Sequence, residues 1–201
     1  KRLKDANMTI KLSKCKFAVS EMELLGHIVS GEGIQPSPKK VEAIRNLLPP
    51  TNVSEIRTFL GMTGWYRKFI KGYAKIAAPL SDLTRKEARA NVAEAMKTPA
   101  CLEAFESLKE ALMGPDVMLI HPDFSKKFRV DLDASKEMLG AVLLQETEDG
   151  WRPIEYWSKK LSLKVRDQED IPTHLEAMAL QEAVNKWRPY LIDTEFDLVT
   201  D

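Results

Sequence analysis

The sequence predicts a mixed α/β (α+β) fold in two parts: a β-hairpin followed by helices, and then a mixed sheet covered by at least one helix. Gly31 and Gly33 separate two apolar runs, which is typical of a hairpin turn. Residues 128–133 alternate between apolar and polar side chains, the period of a strand with one buried face. The charge also changes sign between the halves. Residues 1–100 hold 18 Lys+Arg and 9 Asp+Glu, a balance of +9, whereas residues 101–201 hold 12 and 21, a balance of −9. The basic half suits a polyanionic partner, and the alternative is two solvated domains that dock through their opposite charges.

The composition is that of an ordinary globular protein of one large or two small domains. Hydrophobic residues make up 44% of the 201 positions and charged residues 30%. No apolar run approaches the length of a membrane span, and no secretory leader is visible, so we expect no contact with a membrane. Cys15 and Cys101 are far apart in sequence, which favours two free thiols in a reducing, intracellular setting and gives no zinc framework.

The first half predicts a hairpin over residues 22–35 and two helices after it. Ser37 and Pro38 suit the N-cap and first position of a short helix, which Pro49 and Pro50 end. The stretch from Asn52 to Glu55 then has the spacing of a capping box for the next helix.

One face of that second helix carries residues suited to a nucleic-acid groove. Arg57, Gly61 and Trp65 are spaced four apart, and Lys68 follows beside them. Glycine allows the backbone to approach closely, tryptophan offers a flat apolar surface, and arginine binds phosphate. A helical glycine costs about 1 kcal/mol relative to alanine, so Gly61 and Gly64 need a reason. Tight packing between helices is the alternative to groove binding, and spacing alone does not separate the two.

The second half begins after a polar, alanine-rich stretch at residues 85–98. A helix is predicted from Thr98 and Pro99, a short strand over residues 117–120, and two strands joined by a turn over residues 128–145. A helical run over residues 173–190 and a strand over residues 196–200 complete the pattern.

Three carboxylates occupy positions that favour a metal site. Asp133 ends a strand, Glu176 lies at the start of the long helical run, and Asp201 ends a later strand. Taken alone, Asp133 is equally well explained as a residue that caps the end of its strand. Asp131 shares its face and is the competing candidate.

Several phrases of the sequence resemble the Ty3/Gypsy-like branch of long-terminal-repeat retrotransposon Pol polyproteins. The resemblance covers essentially the whole chain. It rests on Val130-Asp131-Leu132-Asp133-Ala134-Ser135, Tyr156-Trp157-Ser158-Lys159-Lys160-Leu161, Thr173-His174-Leu175-Glu176, Lys186-Trp187-Arg188-Pro189-Tyr190-Leu191, and Phe59-Leu60-Gly61-Met62-Thr63-Gly64-Trp65-Tyr66.

The resemblance implies a division into four regions. Residues 1–36 correspond to the end of the reverse transcriptase palm with its primer-grip hairpin, and 37–90 to the helical thumb. Residues 91–116 form a linker and connecting helix, and 117–201 form an incomplete ribonuclease H-like domain. It also implies that Gly26 and His27 lie in the hairpin that holds the primer strand, and it favours the groove-binding role for Arg57, Gly61, Trp65 and Lys68.

The same resemblance implies a two-metal hydrolase. Asp133, Glu176 and Asp201 correspond to catalytic ligands of Mg²⁺, with Mn²⁺ as the alternative ion, and the Asp-Ala-Ser phrase favours Asp133 over Asp131. The expected partners are an RNA–DNA hybrid or template–primer duplex and the remainder of the Pol polyprotein, with no small-molecule cofactor. The expected location is intracellular: the cytoplasm, in virus-like particles, with the nucleus as an alternative.

Two signatures of the family are absent from these 201 residues. The Tyr-x-Asp-Asp motif of the polymerase is expected before residue 1, and a fourth carboxylate is expected after Asp201. We therefore expect an internal piece of a polyprotein that is inactive by itself. The alternatives are a non-catalytic module that binds hybrid and a domesticated or decayed scaffold that retains the fold for protein contacts.

Overall fold

The strands of the computed structural model form two separate sheets. The structure describes residues 2–85, 92–114, 117–162 and 172–200. The first sheet is antiparallel, in the order β1-β2-β3, and contains β1 (Glu21–Leu24), β2 (His27–Ser30) and β3 (Ile34–Pro36). The second has the order β6-β5-β4-β7 and contains β4 (Phe128–Ala134), β5 (Met138–Thr147), β6 (Gly150–Lys160) and β7 (Phe196–Val199). β4, β5 and β6 pair antiparallel, whereas β7 is parallel to β4. This mixed sheet after a hairpin and helices confirms the predicted fold class.

The helices of the first half precede the second sheet, and two further helices interrupt it. They are α1 (Arg2–Asp5), α2 (Pro38–Arg45), α3 (Val53–Trp65), α4 (Tyr73–Ile76), α5 (Ala78–Asp82), α6 (Val92–Ala95), α7 (Pro99–Glu110), α8 (Pro172–Lys186) and α9 (Arg188–Leu191). Short 3₁₀ turns occur at Leu12–Lys14 and Arg67–Phe69. Within the described ranges, no helix has the length and apolar character needed to cross a membrane.

The predicted single hairpin over residues 22–35 is a three-stranded meander with two turns. Leu24 pairs with His27, so Leu25 and Gly26 alone connect β1 to β2, and both have positive φ, 50° and 79°. Such a turn matches the twist of the strands, but leucine is an unusual residue in it, which is why the sequence did not reveal the turn. The second turn contains Gly33, where an added Cβ would lie 2.3 Å from the Leu119 carbonyl oxygen.

The capping box of α3 is confirmed, with the variation that the Glu55 side chain accepts from the backbone N–H of Thr51 instead of that of Asn52. The Asn52 side chain accepts a hydrogen bond from the Glu55 backbone N–H at 2.9 Å. The Glu55 carboxylate accepts bonds from the Thr51 backbone N–H at 2.7 Å and from the Asn52 side-chain amide at 2.7 Å. The bonds from Thr51, followed by those from Asn52, lower the pKa of Glu55.

The structure contains two hydrophobic cores, one among the helices of the first half and one beneath the second sheet. The first contains residues of α2 to α7, with Phe59 of α3 against Phe105 of α7 at a ring-centroid distance of 4.6 Å. The predicted connecting helix α7 is therefore part of this core. Leu119 joins the same core and forms one isolated bridge with Ile34 of β3, where a short strand was expected over residues 117–120.

The second core lies between the sheet and α8. It buries Phe128, Val130 and Leu132 of β4 together with Leu175, Ala179 and Ala183 of α8. The helical run ends earlier than predicted, because α8 stops at Lys186 and α9 restarts at Arg188 with Pro189 in its first turn, a residue without the N–H that a continuous helix needs. Trp187 at the break is fully buried, and its Nε1–H donates to Glu155 at 2.9 Å.

A polar seam joins the two halves along β6. Arg67 donates to the Ser158 carbonyl oxygen at 2.9 Å, and the Ala74 backbone N–H donates to the Ser158 hydroxyl at 2.9 Å. Lys160 forms an ion pair with Asp82 at 2.7 Å. Ser158 is almost fully buried, whereas Arg67 is exposed and Ala74 and Asp82 are half-buried, so the seam runs from the interior to the surface.

Candidate nucleic-acid interface and carboxylate site

The exposed face of α3 carries three of the predicted binding residues. Ile56, Phe59 and Thr63 form the buried face, and Arg57, Gly61 and Trp65 are exposed on another face of the helix. The two helical glycines have different explanations. A Cβ added to Gly64 would lie 3.3 Å from the Tyr73 hydroxyl, whereas a Cβ added to Gly61 would meet nothing within 4 Å. Packing thus explains Gly64, but it does not explain Gly61.

Trp65 connects this face to the turn between β1 and β2. Its ring is 56% exposed, and its Nε1–H donates to the Leu25 carbonyl oxygen at 3.3 Å. The Tyr66 hydroxyl donates to the Gly26 carbonyl oxygen at 2.8 Å, and an added Cβ on Gly26 would lie 3.0 Å from that hydroxyl. Together with Lys40, Ile44 and Met62, these residues line a cavity of about 410 Å³. The hairpin turn and α3 therefore form one continuous surface.

His27 lies beneath this surface instead of on it, and its predicted contact with nucleic acid stays a prediction. Its side chain is only 9% exposed and its ring contacts those of Trp65, Tyr66 and Phe69. Nδ1 lies 3.2 Å from the Leu25 carbonyl oxygen, and the buried Nε2 has no hydrogen-bond partner among the described residues. Burial, reinforced by the nearby charge of Lys68, lowers the pKa of His27. The ring thus supports the turn as a neutral group.

Lys68 does not share α3 with Arg57, Gly61 and Trp65, contrary to the sequence-based expectation. The helix ends at Trp65, and Lys68 lies on the 3₁₀ turn that follows, with Nζ 5.1 Å from the centroid of the Phe69 ring. Burial lowers its pKa, while the nearby carboxylate of Glu155 acts in the opposite direction. Lys68 therefore belongs to the junction between the halves more than to the exposed face of α3.

The second candidate site is the open face of the second sheet. Because α8 covers the face that carries Phe128, Val130 and Leu132, the alternate residues Arg129, Asp131 and Asp133 point to the opposite face. There they line a cavity of about 430 Å³ together with Gly140, Tyr156 and Trp157 of the neighbouring strands, and with Lys71 and Gly72 of the first half.

The two aspartates on this face differ in their neighbours. Asp131 accepts two hydrogen bonds from Arg129, at 2.5 and 3.1 Å, and the guanidinium lies 5.0 Å from the centroid of the Trp151 ring. The hydrogen bond from Arg129 to Asp131 raises the pKa of the arginine. Asp131 is therefore part of an ion pair on the sheet surface.

Asp133 is exposed, and its carboxylate forms no hydrogen bond or ion pair with other residues that the structure describes. It pairs across the sheet with Gly140, where an added Cβ would lie 3.2 Å from the Asp133 carbonyl oxygen and 3.6 Å from its Cβ. The glycine leaves open space beside the carboxylate. An unpaired carboxylate with room around it suits a hard divalent cation such as Mg²⁺.

The structure describes only one of the other two predicted ligands, Glu176 and Asp201. Glu176 lies near the start of α8, which packs against β4 and β5, and it is half-buried. Asp201 lies outside the described residues; β7 ends at Val199, which pairs with Asp131. Within the described ranges, no group of three His, Cys, Asp or Glu residues is close enough to hold a metal ion. The convergence of Asp133, Glu176 and Asp201 therefore stays a prediction.

Sequence reasoning assigned no role to Lys71, Tyr156 or Trp157, although all three line the cavity of Asp133. Tyr156 and Trp157 lie in a phrase that carries the family resemblance, and that phrase was the sequence signal that could have identified them. No sequence signal pointed to Lys71, because it reaches the cavity from the other half of the chain.

Comparisons with known proteins identify the family of this chain. Residues 98–198 match the family described as the RNase H-like domain found in reverse transcriptase. The chain is 40% identical over 200 residues to the retrovirus-related Pol polyprotein from transposon 297 and 39% identical over 196 residues to that from transposon opus, both of Drosophila melanogaster. It is 34% identical over 203 residues to the transposon Tf2-3 polyprotein of Schizosaccharomyces pombe. The matches cover 94–100% of this chain but only 18%, 19% and 15% of the 297, opus and Tf2-3 polyproteins.

Solved structures share the fold at low sequence identity. The foamy viral protease-reverse transcriptase dRH in complex with double-stranded DNA superposes with a TM-score of 0.77 at 20% identity, covering 98% of this chain and 34% of that one. The foamy viral protease-reverse transcriptase in complex with RNA/DNA hybrid gives a TM-score of 0.74 at 20% identity, covering 94% and 25%.

Proposed function

This chain belongs to the family of the RNase H-like domain found in reverse transcriptase, and on that premise we propose that it binds an RNA–DNA hybrid within a retrotransposon Pol polyprotein. In this proposal the first half holds the template–primer duplex. The second half contributes carboxylates for cleavage of the RNA strand, and the longer polyprotein supplies the polymerase that copies RNA into DNA.

The open space over Gly61 is the observation that carries the proposal. A glycine in an exposed helix is costly, and no packing contact in the described structure requires this one. Its neighbours on the same face are an arginine and an exposed tryptophan, which suit phosphate and a flat apolar contact with a sugar or base.

Cleavage would use the cavity on the second sheet. Asp133, with Glu176 and Asp201 as further ligands, would hold Mg²⁺ or Mn²⁺, because carboxylates are the ligands that such hard cations prefer. The bound ions would polarise the phosphate and supply an activated water. Gly140 keeps the space beside Asp133 open, and Arg129 keeps Asp131 in an ion pair away from this role.

The first test separates binding from folding by adding bulk at Gly61. We expect Gly61→Leu to stabilise the chain by about 0.5–1 kcal/mol, because leucine is the better helix former. The same change should weaken the binding of a short RNA–DNA hybrid several-fold, because the side chain fills the surface that the duplex approaches. Thermal melting and fluorescence anisotropy measure the two effects.

Ala100→Leu is the matched control, since Ala100 is exposed on α7 and the change adds similar bulk without a charge. It should leave hybrid binding unchanged. We also expect Trp65→Ala to weaken binding, and the affinity of the unmodified chain to fall steeply with salt. Binding by Gly61→Leu that equals that of the unmodified chain would contradict the assignment of this face.

A further inference from the structure

The cavity that contains Asp133 also receives a cation from the other half of the chain. Lys71 lies between the 3₁₀ turn at Arg67–Phe69 and α4, and it lines this cavity of about 430 Å³. Arg129 and Asp131 neutralise one another there. Among the described residues, Lys71 and Asp133 are the charged groups of the cavity whose side chains form no ion pair.

The seam fixes the position of Lys71 on both sides. Before it, Arg67 donates to the Ser158 carbonyl oxygen, and after it the Ala74 backbone N–H donates to the Ser158 hydroxyl, both at 2.9 Å. Between these anchors Gly72 has a φ of 65°, a conformation that L-residues rarely adopt. The segment is thus held against β6, next to β5 and its Gly140.

Aromatic residues contribute to the remaining walls. Tyr156 and Trp157 of β6 line the cavity, and both residues are half-buried. A volume of about 430 Å³ lies within the usual range for small-ligand pockets. Carboxylates repel the phosphates of a nucleic-acid strand. A lysine in the same cavity offsets this repulsion and can bind one of the phosphates.

We propose that Lys71 binds a backbone phosphate of the nucleic-acid strand that lies at Asp133. This inference rests on the proposed function and adds to it a substrate-binding residue supplied by the first half. The ligand is a phosphodiester within a strand, and the alternative source of the same chemistry is a free nucleotide.

The experiment compares Lys71→Ala with Lys75→Ala, which removes the same charge from an exposed lysine of α4 that does not line the cavity. Affinity for a short RNA–DNA hybrid is measured by fluorescence anisotropy over a series of salt concentrations. Because each phosphate contact contributes about 0.7–0.9 to the slope of log affinity against log salt, Lys71→Ala should make the slope shallower by that amount. Lys75→Ala should leave the slope unchanged, and both variants should melt at the temperature of the unmodified chain.

Two results would overturn the inference while leaving the proposed function intact: a salt slope in Lys71→Ala equal to that of the unmodified chain, or the same reduction in Lys75→Ala. Failure of the unmodified chain to bind hybrid would refute both. A second arm uses AMP as the probe. We expect a large excess of AMP to compete poorly with the hybrid. Strong AMP binding that Lys71→Ala removes, without any change in the hybrid slope, would show a free-nucleotide site and overturn the inference.

Discussion

Asp131 and Asp133 point to the same face of β4, but their surroundings differ. Asp131 is held by two hydrogen bonds from Arg129, whereas Asp133 faces the space left by Gly140. A strand pattern with alternating acidic residues cannot distinguish them, since the distinction depends on cross-strand neighbours.

We expect Asp133→Asn and Asp131→Asn to separate activity from stability. In the longer polyprotein, Asp133→Asn should lower hydrolysis of the RNA strand by more than about 100-fold, because even residues one layer beyond a metal ligand cost roughly 10–100-fold. Asp131→Asn should retain most of the activity and lower the melting temperature slightly, because it weakens the pair with Arg129. Hydrolysis assays and thermal melting of both variants provide the check, and equal loss of activity in the two would contradict the assignment.

His27 predicts a pH dependence of stability. Burial and the neighbouring charge of Lys68 lower its pKa below the ordinary value of 6.5, so the unfolded chain binds the proton more readily than the folded one. The stability from the neutral ring should therefore be complete above pH 6.5. It should fall as the pH drops from 6.5 towards the lowered pKa, with no further loss from this group below that pKa.

Urea unfolding between pH 7.5 and pH 5 measures this effect. His27→Phe retains a ring among Trp65, Tyr66 and Phe69 but cannot titrate, so its stability should change less over this range. A pH profile identical in both proteins would assign the effect to other groups.

Among the secondary-structure elements, α3 shows how far local chemistry predicts structure. Its capping box involves four consecutive residues, and the sequence alone predicted it correctly. The end of α3 before Lys68 and the turn at Leu25 were not predicted. No local pattern marks the 3₁₀ turn after Trp65, where Arg67 donates to the distant Ser158 carbonyl oxygen, and leucine is rarely found at positive φ.

We expect Asn52→Ala to destabilise the chain by about 1 kcal/mol, the usual cost of losing an N-cap side chain. Asn46→Ala is the control, since Asn46 is exposed at the end of α2. Urea unfolding measures both, and equal losses would indicate that the cap bond to Glu55 contributes little.

In the molecule as a whole, the two halves are joined by contacts that no sequence pattern displayed. Residues far apart in the chain form the seam around Ser158, and the family match begins at residue 98, although α7 packs in the first core. The sequence therefore predicted the fold class and the order of its elements, but not that Lys71 and Asp133 line the same cavity, and the roles of the site residues stay predictions.

The last prediction concerns the hydrogen bond between Ser158 and Ala74 in the seam. Ser158→Ala removes the hydroxyl acceptor of the half-buried Ala74 N–H, which should cost about 0.5–1.5 kcal/mol. Hydrogen exchange should accelerate at Ala74 and its neighbours in α4 more than in α8. Ser37→Ala is the control, because Ser37 is also almost fully buried and its side chain forms no helix-capping hydrogen bond. Uniform acceleration in both helices would show a general loss of stability instead of a local opening of the seam.

The parallel pairing of β7 with β4 has a consequence for synthesis on the ribosome. β4, β5 and β6 are consecutive antiparallel strands and can pair as soon as they leave the ribosome. The other edge of β4 stays unpaired until β7 has been synthesised and Phe196 pairs with Phe128. At roughly 5–20 residues per second, this edge is open for some seconds. Arg129, Asp131 and Asp133 alternate along it, and charges on an open edge oppose pairing with another chain. The polar residues of the cavity would thus also protect the nascent protein from aggregation.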